Sequence, residues 1–160
     1  MGANVLELFH KTRDWHRLED NECDDMCSHF TVVSSYRETM ELRTDNKPKI
    51  VIAGSGMLTG GRMLNYLETQ AQNPNNTLLF VGYQAEGTRG RKLLEGDKEL
   101  KVYGKWVPFK MQVAEIEGLS AHADHTELMD WINKIKNKPE RVFIVHGEKE
   151  GAEALQKGIK

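Results

Sequence analysis

The stretch Lys49-Ile-Val-Ile-Ala53, running into Gly54-Ser-Gly-Met-Leu-Thr-Gly-Gly61, decides the fold reading. Ile50 to Ala53 is an unbroken apolar run, the pattern of a strand covered on both faces of a parallel sheet. The glycine-rich loop that follows opens a helix predicted over Arg62 to about Ala71, which Asn73-Pro-Asn-Asn76 terminates. Thr77-Leu-Leu-Phe-Val81 is a second buried strand. Two apolar strands joined by a helix make a βαβ unit. The chain is therefore expected to be α/β, beginning with a Rossmann-like parallel-sheet lobe.

Toward the N-terminus, Val5-Leu-Glu-Leu-Phe9 begins a helix, and the acidic stretch Asp14 to Asp25 reads as irregular. Phe30-Thr-Val-Val33 reads as a short strand, with Ser34 or Ser35 capping a helix to about Leu42. Toward the C-terminus, a polar loop from Gly82 to Gly90 precedes a short helix to about Leu94. The pattern then alternates. Glu99–Tyr103 and Val107–Ile116 flank Gly104-Lys105 and predict a β-hairpin. A helix over Thr126 to about Lys136, a strand Arg141-Val-Phe-Ile-Val145 and a last helix from about Gly151 complete a βαβ segment. A boundary near Gly96 divides a parallel α/β lobe, 1–96, from a C-terminal part, 97–160.

The chain has 160 residues, enough to bury a sizeable core. Its net charge of −2 excludes a global basic field, so nucleic-acid contact has to be local. No apolar run reaches membrane-spanning length and no signal peptide is seen, which predicts a cytoplasmic protein. The only cysteines, Cys23 and Cys27, suit a reducing compartment. His16 and His29 lie near them in sequence, but the spacing alone does not make a zinc site.

Gly118-Leu-Ser-Ala-His-Ala-Asp-His-Thr-Glu-Leu128 carries the candidate chemistry. Asp124, with Glu127 three residues on, forms a capping box for the following helix. His122 precedes that cap, beside free helix amides that attract anions. His146 follows the strand Arg141–Val145. If that strand runs parallel to the one ending near Gly118, both histidines stand at the sheet edge where ligand crevices open. A half-buried, hydrogen-bonded histidine is the plain alternative for each. The glycine loop admits two readings. Its amides, with Ser55 and Gly56, can cradle a phosphate beside Arg62, or its glycines serve a tight turn. Arg89, Arg91 and Lys92 are a phosphate contact or a solvated helix face. Trp15 and Trp106 can stack on bases, whereas Trp131 shares an apolar helix face with Leu128 and Ile135 and reads as core.

Gly118-Leu-Ser-Ala-His-Ala-Asp124 and Val145-His-Gly-Glu148 resemble the last two signature motifs of the β-CASP group of metallo-β-lactamase-fold nucleases. Ile52–Arg62 and Leu79–Gly90 look like that group's bacterial branch. The resemblance implies that residues 97–160 come from the C-terminal part of a metallo-β-lactamase fold. It also implies a zinc-dependent RNA phosphodiester hydrolase with two zinc ions. His146 would be a late metal ligand. His122 would be a non-ligand histidine that contacts the scissile phosphate and acts as general acid. From the loops themselves, Ser55, Gly56, Arg62 and Arg89 are the candidate phosphate contacts, with Ser120 beside His122. The family's principal ligand run, His-x-His-x-Asp-His, is not in this sequence. The expectation is thus the C-terminal third of a longer enzyme, inactive alone, whose partners are RNA, the missing N-terminal metallo-β-lactamase portion and a second copy. The alternative is a non-catalytic RNA-binding or dimerisation module. A nucleotide-binding α/β domain ranks last, because the glycine spacing does not fit a dinucleotide fingerprint.

Overall fold

A computed structural model describes residues 2–119 and 122–159. The chain divides into two units. One holds Met1–Ser55 with Gly60–Gln70, and the other holds Gly56–Thr59 with Ala71–Lys160.

The first unit is helical. Helix α1 (Gly2–Lys11) passes through a 3-10 turn at Arg13–Trp15 to α2 (Asp20–Ser28). The acidic stretch Asp14 to Asp25, expected to be irregular, is therefore helical over its second half, from Asp20. Its start is fixed locally: the Glu19 amide donates to Glu22 Oε2 at 2.9 Å. Arg13 ties the turn to the helix, donating to Asp20 at 2.6 Å and to Asp24 at 2.7 Å. Helix α3 (Tyr36–Thr44) begins at a capping box in which the Glu38 amide donates to Ser35 Oγ at 3.1 Å. It packs on α4 (Met63–Gln70), with Arg43 paired to Glu68 at 2.8 Å and Gln70 Nε2 donating to the Arg43 carbonyl at 2.6 Å. Thr39, Leu64 and Leu67 are the buried residues between them.

The second unit is mixed α/β. Strand β1 (Thr77–Phe80) leads to α5 (Arg89–Leu94), then to β2 (Glu99–Val102), β3 (Lys105–Pro108) and β4 (Gln112–Glu115). Helix α6 (His125–Asn133) and helix α7 (Lys149–Ile159) complete it. Strands β2 and β3 pair antiparallel across Tyr103-Gly104, where both residues have positive φ, 47° and 83°. Strands β1 and β4 pair in parallel, with Thr77 opposite Gln112 and Phe80 opposite Glu115. Gln112 lies in the middle of the predicted hairpin arm Val107–Ile116, so that arm is broken: its first half turns back on β2 and its second half joins β1. Leu78, Phe80, Leu93, Leu100, Val102 and Phe109 form the core.

Three expected strands are corrected. Phe30–Val33, Lys49–Ala53 and Arg141–Val145 lie outside any ladder. Ile50 is 94% exposed and Phe143 is 80% exposed. Apolar composition makes a segment suited to burial, but a ladder also needs a neighbouring strand with matching free N–H and C=O groups. Among the described residues, only β1–β4 and β2–β3 supply such neighbours. Lacking the first strand, the βαβ unit expected over residues 49–81 does not form as a sheet crossover. Trp131, expected in the core, is 68% exposed. It lines an open apolar groove with Ile135, Val142, Val145, Leu155 and Ile159.

Candidate functional site

Because β1 and β4 are parallel, the loops that follow them leave the same sheet edge. The Ile116 amide donates to the Phe80 carbonyl at 2.8 Å, which marks that edge. Residues 81–88 depart from one strand. Residues 116–119 depart from the other through a 3-10 turn at Glu117–Leu119, and His122 follows three positions later in the sequence.

Hydrogen bonds fix the first of these loops. Gln84 is buried, and its Nε2 donates to the carbonyls of Gly56 and Gly82, each at 2.9 Å. The side chain thereby staples residue 56 to the loop after β1. The Gly90 amide adds a 3.3 Å bond to the Met57 carbonyl. Gly90 has to be glycine: a Cβ there would stand 1.8 Å from Gln84 Oε1. Arg89 completes the brace, with Nη1 donating to the Leu58 carbonyl at 2.9 Å and Nε to the Lys101 carbonyl at 2.7 Å.

His146 sits in a left-handed turn, φ 72°, followed by Gly147 at φ 86°. The next residue, Glu148, accepts a hydrogen bond from the Tyr83 hydroxyl and lies 3.9 Å from Arg91 Nη1. The His146 turn is thus pinned to the loop after β1. The bond to Glu148 is the main cause that pushes the Tyr83 phenol above its usual range, and burial adds to it. Neither Tyr83 nor Glu148 was singled out from the sequence, nor was Gln84. A tyrosine and a glutamate 65 positions apart carry no local signal, and their pairing is decided by the fold.

The other expected residues separate. Asp124 is the N-cap of α6, accepting from the Glu127 amide at 2.8 Å, and its own amide donates to Glu127 Oε2 at 2.9 Å. Gly56 and Arg89 belong to the same unit as both histidines, whereas Ser55 and Arg62 belong to the helical unit. Arg62 donates to the Val33 and Ser34 carbonyls there. Gly61, at φ 73°, is needed because a Cβ would meet the Gly54 carbonyl oxygen at 2.6 Å. Ser120 lies outside the described residues.

A family model described as the Beta-Casp domain matches residues 1–93. This chain belongs to the β-CASP family. A second model, the Zn-dependent metallo-hydrolase RNA specificity domain, matches residues 106–160. Among similar proteins, transcription termination factor FttA of Pyrococcus horikoshii is 41% identical over 124 residues, covering 74% of this chain and 19% of that protein. The FttA of Methanosarcina mazei is 35% identical over 135 residues, 81% of this chain and 21% of that protein. A ribonuclease of Thermus thermophilus is 42% identical over 110 residues, 69% of this chain and 25% of that protein. The β-CASP chain therefore spans about a fifth to a quarter of the length of these relatives.

The metallo-hydrolase description implies a metal. The residues of this β-CASP chain do not complete a site for it around His146. Three or more ligands are needed. Among the described residues, the group of three ligand atoms close enough to hold an ion is that of His10, Cys23 and Cys27, in the helical unit. No helix among the described residues is long and apolar enough to cross a membrane.

Proposed function

We propose that this chain is the RNA-facing part of a zinc-dependent phosphodiester hydrolase. The observation that carries the reading is the shared edge of β1 and β4. His122 leaves that edge, and the His146 turn is held to it through Tyr83 and Glu148.

His122, just ahead of the α6 N-terminus, binds the scissile phosphate and gives a proton to the departing 3′ oxygen. Such positioned proton transfer is worth roughly 10²–10⁴ in rate. Cleavage releases a free hydroxyl in place of a poorly leaving alkoxide. His146 is one ligand of a metal centre whose remaining ligands lie outside this sequence, and the left-handed turn holds its ring there. The amide of Gly56 and the hydroxyls of Ser55 and Ser120 bind backbone phosphates of the RNA. Arg89 uses Nε and Nη1 on carbonyls and presents Nη2 to the RNA, since a guanidinium carries five donors. Arg62 trades a carbonyl for a phosphate oxygen, a stronger charge-assisted acceptor. The division near Gly96 belongs to the same reading, between the end of one family match at 93 and the start of the other at 106.

The test is made in the longer protein that contains this chain. His122→Ala is expected to cut turnover by roughly 10²–10⁴ with metal content near wild type. His146→Ala is expected to lower metal content and activity together. Equal loss of zinc in both variants overturns the division of roles. Unchanged RNA cleavage in both overturns the hydrolase reading and leaves a non-catalytic RNA-binding or dimerisation module.

A further inference from the structure

We infer that His10, Cys23 and Cys27 form a zinc site that clamps α1 to α2, separate from the metal centre the family description implies. One imidazole nitrogen and two sulfurs lie within 4.8 Å of one another. The site stands in residues 10–27, outside the region matched by the metallo-hydrolase model, and rests on its own geometry rather than on the proposed reaction.

The sequence offered two cysteines with His16 and His29 as neighbours. The structure selects differently. Cys23 and Cys27 are one helical turn apart, so their side chains share one face of α2. The histidine that meets them is His10, the second-last residue of α1, brought round by the 3-10 turn at Arg13–Trp15. His16 instead stacks its ring on Phe9 at 4.5 Å, and its Nε2 lies 3.0 Å from the Phe9 carbonyl oxygen. His29 Nδ1 lies 2.7 Å from the Asp25 carbonyl oxygen.

The donor set fits zinc. Tetrahedral zinc with Zn–S near 2.3 Å and Zn–N near 2.0–2.1 Å places its ligand atoms about 3.4–3.8 Å apart. Two thiolates and an imidazole are a soft set that prefers zinc over magnesium or calcium. Asp24 Oδ1 lies 3.3 Å from His10 Nδ1 but stands outside the three-atom cluster, so a water is the natural fourth ligand. The surroundings favour a cation: α2 carries Asp20, Glu22, Asp24 and Asp25 and no lysine or arginine. Arg13 opposes it, since its Nη2 lies 3.1 Å from His10 Nδ1 and also binds Asp24. Metal entry turns the imidazole away from Arg13, which keeps Asp20.

The benefit to the fold is direct. Among the described side chains of α1, Leu8 is 60% exposed and Val5 is 52% exposed, so these two add little apolar burial. A metal bridging the two helices adds its binding free energy to folding.

Cobalt(II) and zinc(II) are titrated into the untagged chain after reduction. The wild type is expected to show thiolate-to-cobalt charge transfer in the near ultraviolet, which zinc abolishes. Zinc is expected to slow proteolysis between α1 and α2. Cys27→Ser and His10→Ala should each weaken cobalt binding by at least about 100-fold, since even loss of an outer partner costs 10–100-fold. His10 is exposed, so its removal leaves the fold intact if Cys23→Ser does not. His16→Ala and the double variant His122→Ala, His146→Ala should leave the band unchanged. Absence of the band in the reduced wild type overturns the proposal. So does an affinity unaltered by His10→Ala.

Discussion

Strand β1 and the segment Arg141–Val145 are alike in sequence and opposite in fate. Leu78 and Phe80 are 4% and 3% exposed, whereas Phe143 and Val145 are 80% and 73% exposed. Both runs are mostly apolar. The difference is the neighbour: β4 hydrogen-bonds along β1, and no strand among the described residues does so for 141–145. Hydrophobicity thus measures what a segment gains by burial, and the partner decides whether it is buried.

The largest effect that tests this contrast is Phe80→Ala, expected to cost about 3–5 kcal/mol in urea unfolding of the chain. Phe143→Ala should stay within about 0.5 kcal/mol, the range of an exposed site. Equal losses would break the contrast. Gly90→Ala sharpens it at the loop after β1, where a Cβ collides with the buried Gln84. The cost expected is about 1–3 kcal/mol. Gly118→Ala, with nothing within 4 Å, should be near neutral in the same assay. The smallest effect is Asp124→Ala, about 1 kcal/mol from loss of the cap. It should appear as faster amide exchange in the first turn of α6. An unchanged exchange rate would mean that packing, not the cap, holds the start of that helix.

The capping boxes show how far local reading reaches. Ser35 with Glu38 and Asp124 with Glu127 are legible because donor and acceptor lie within four positions. The start of α2 escaped, although Glu19 and Glu22 have the same spacing, because a run of acids and two cysteines masks any apolar period. The late histidines were legible as residues, His122 by the helix cap that follows it, although the strand expected to lead into His146 did not form. Their support was not. Gln84 reaches back 28 positions to Gly56, and Tyr83 reaches forward 65 to Glu148. The cluster at His10 was missed for the same reason: the 3-10 turn that carries α2 back to α1 has no marker that distinguishes His10 from His16.

By itself the sequence determined the helices other than α2, the caps at Ser35 and Asp124, the turn between β2 and β3, and the motifs that mark a β-CASP chain. All of these depend on neighbours within a few residues. Only the tertiary structure decided which apolar runs became strands, which histidine joined the cysteines, and which loops share an edge with His122. Those outcomes depend on partners distant in sequence, because a ladder or a ligand set exists only when its second member arrives.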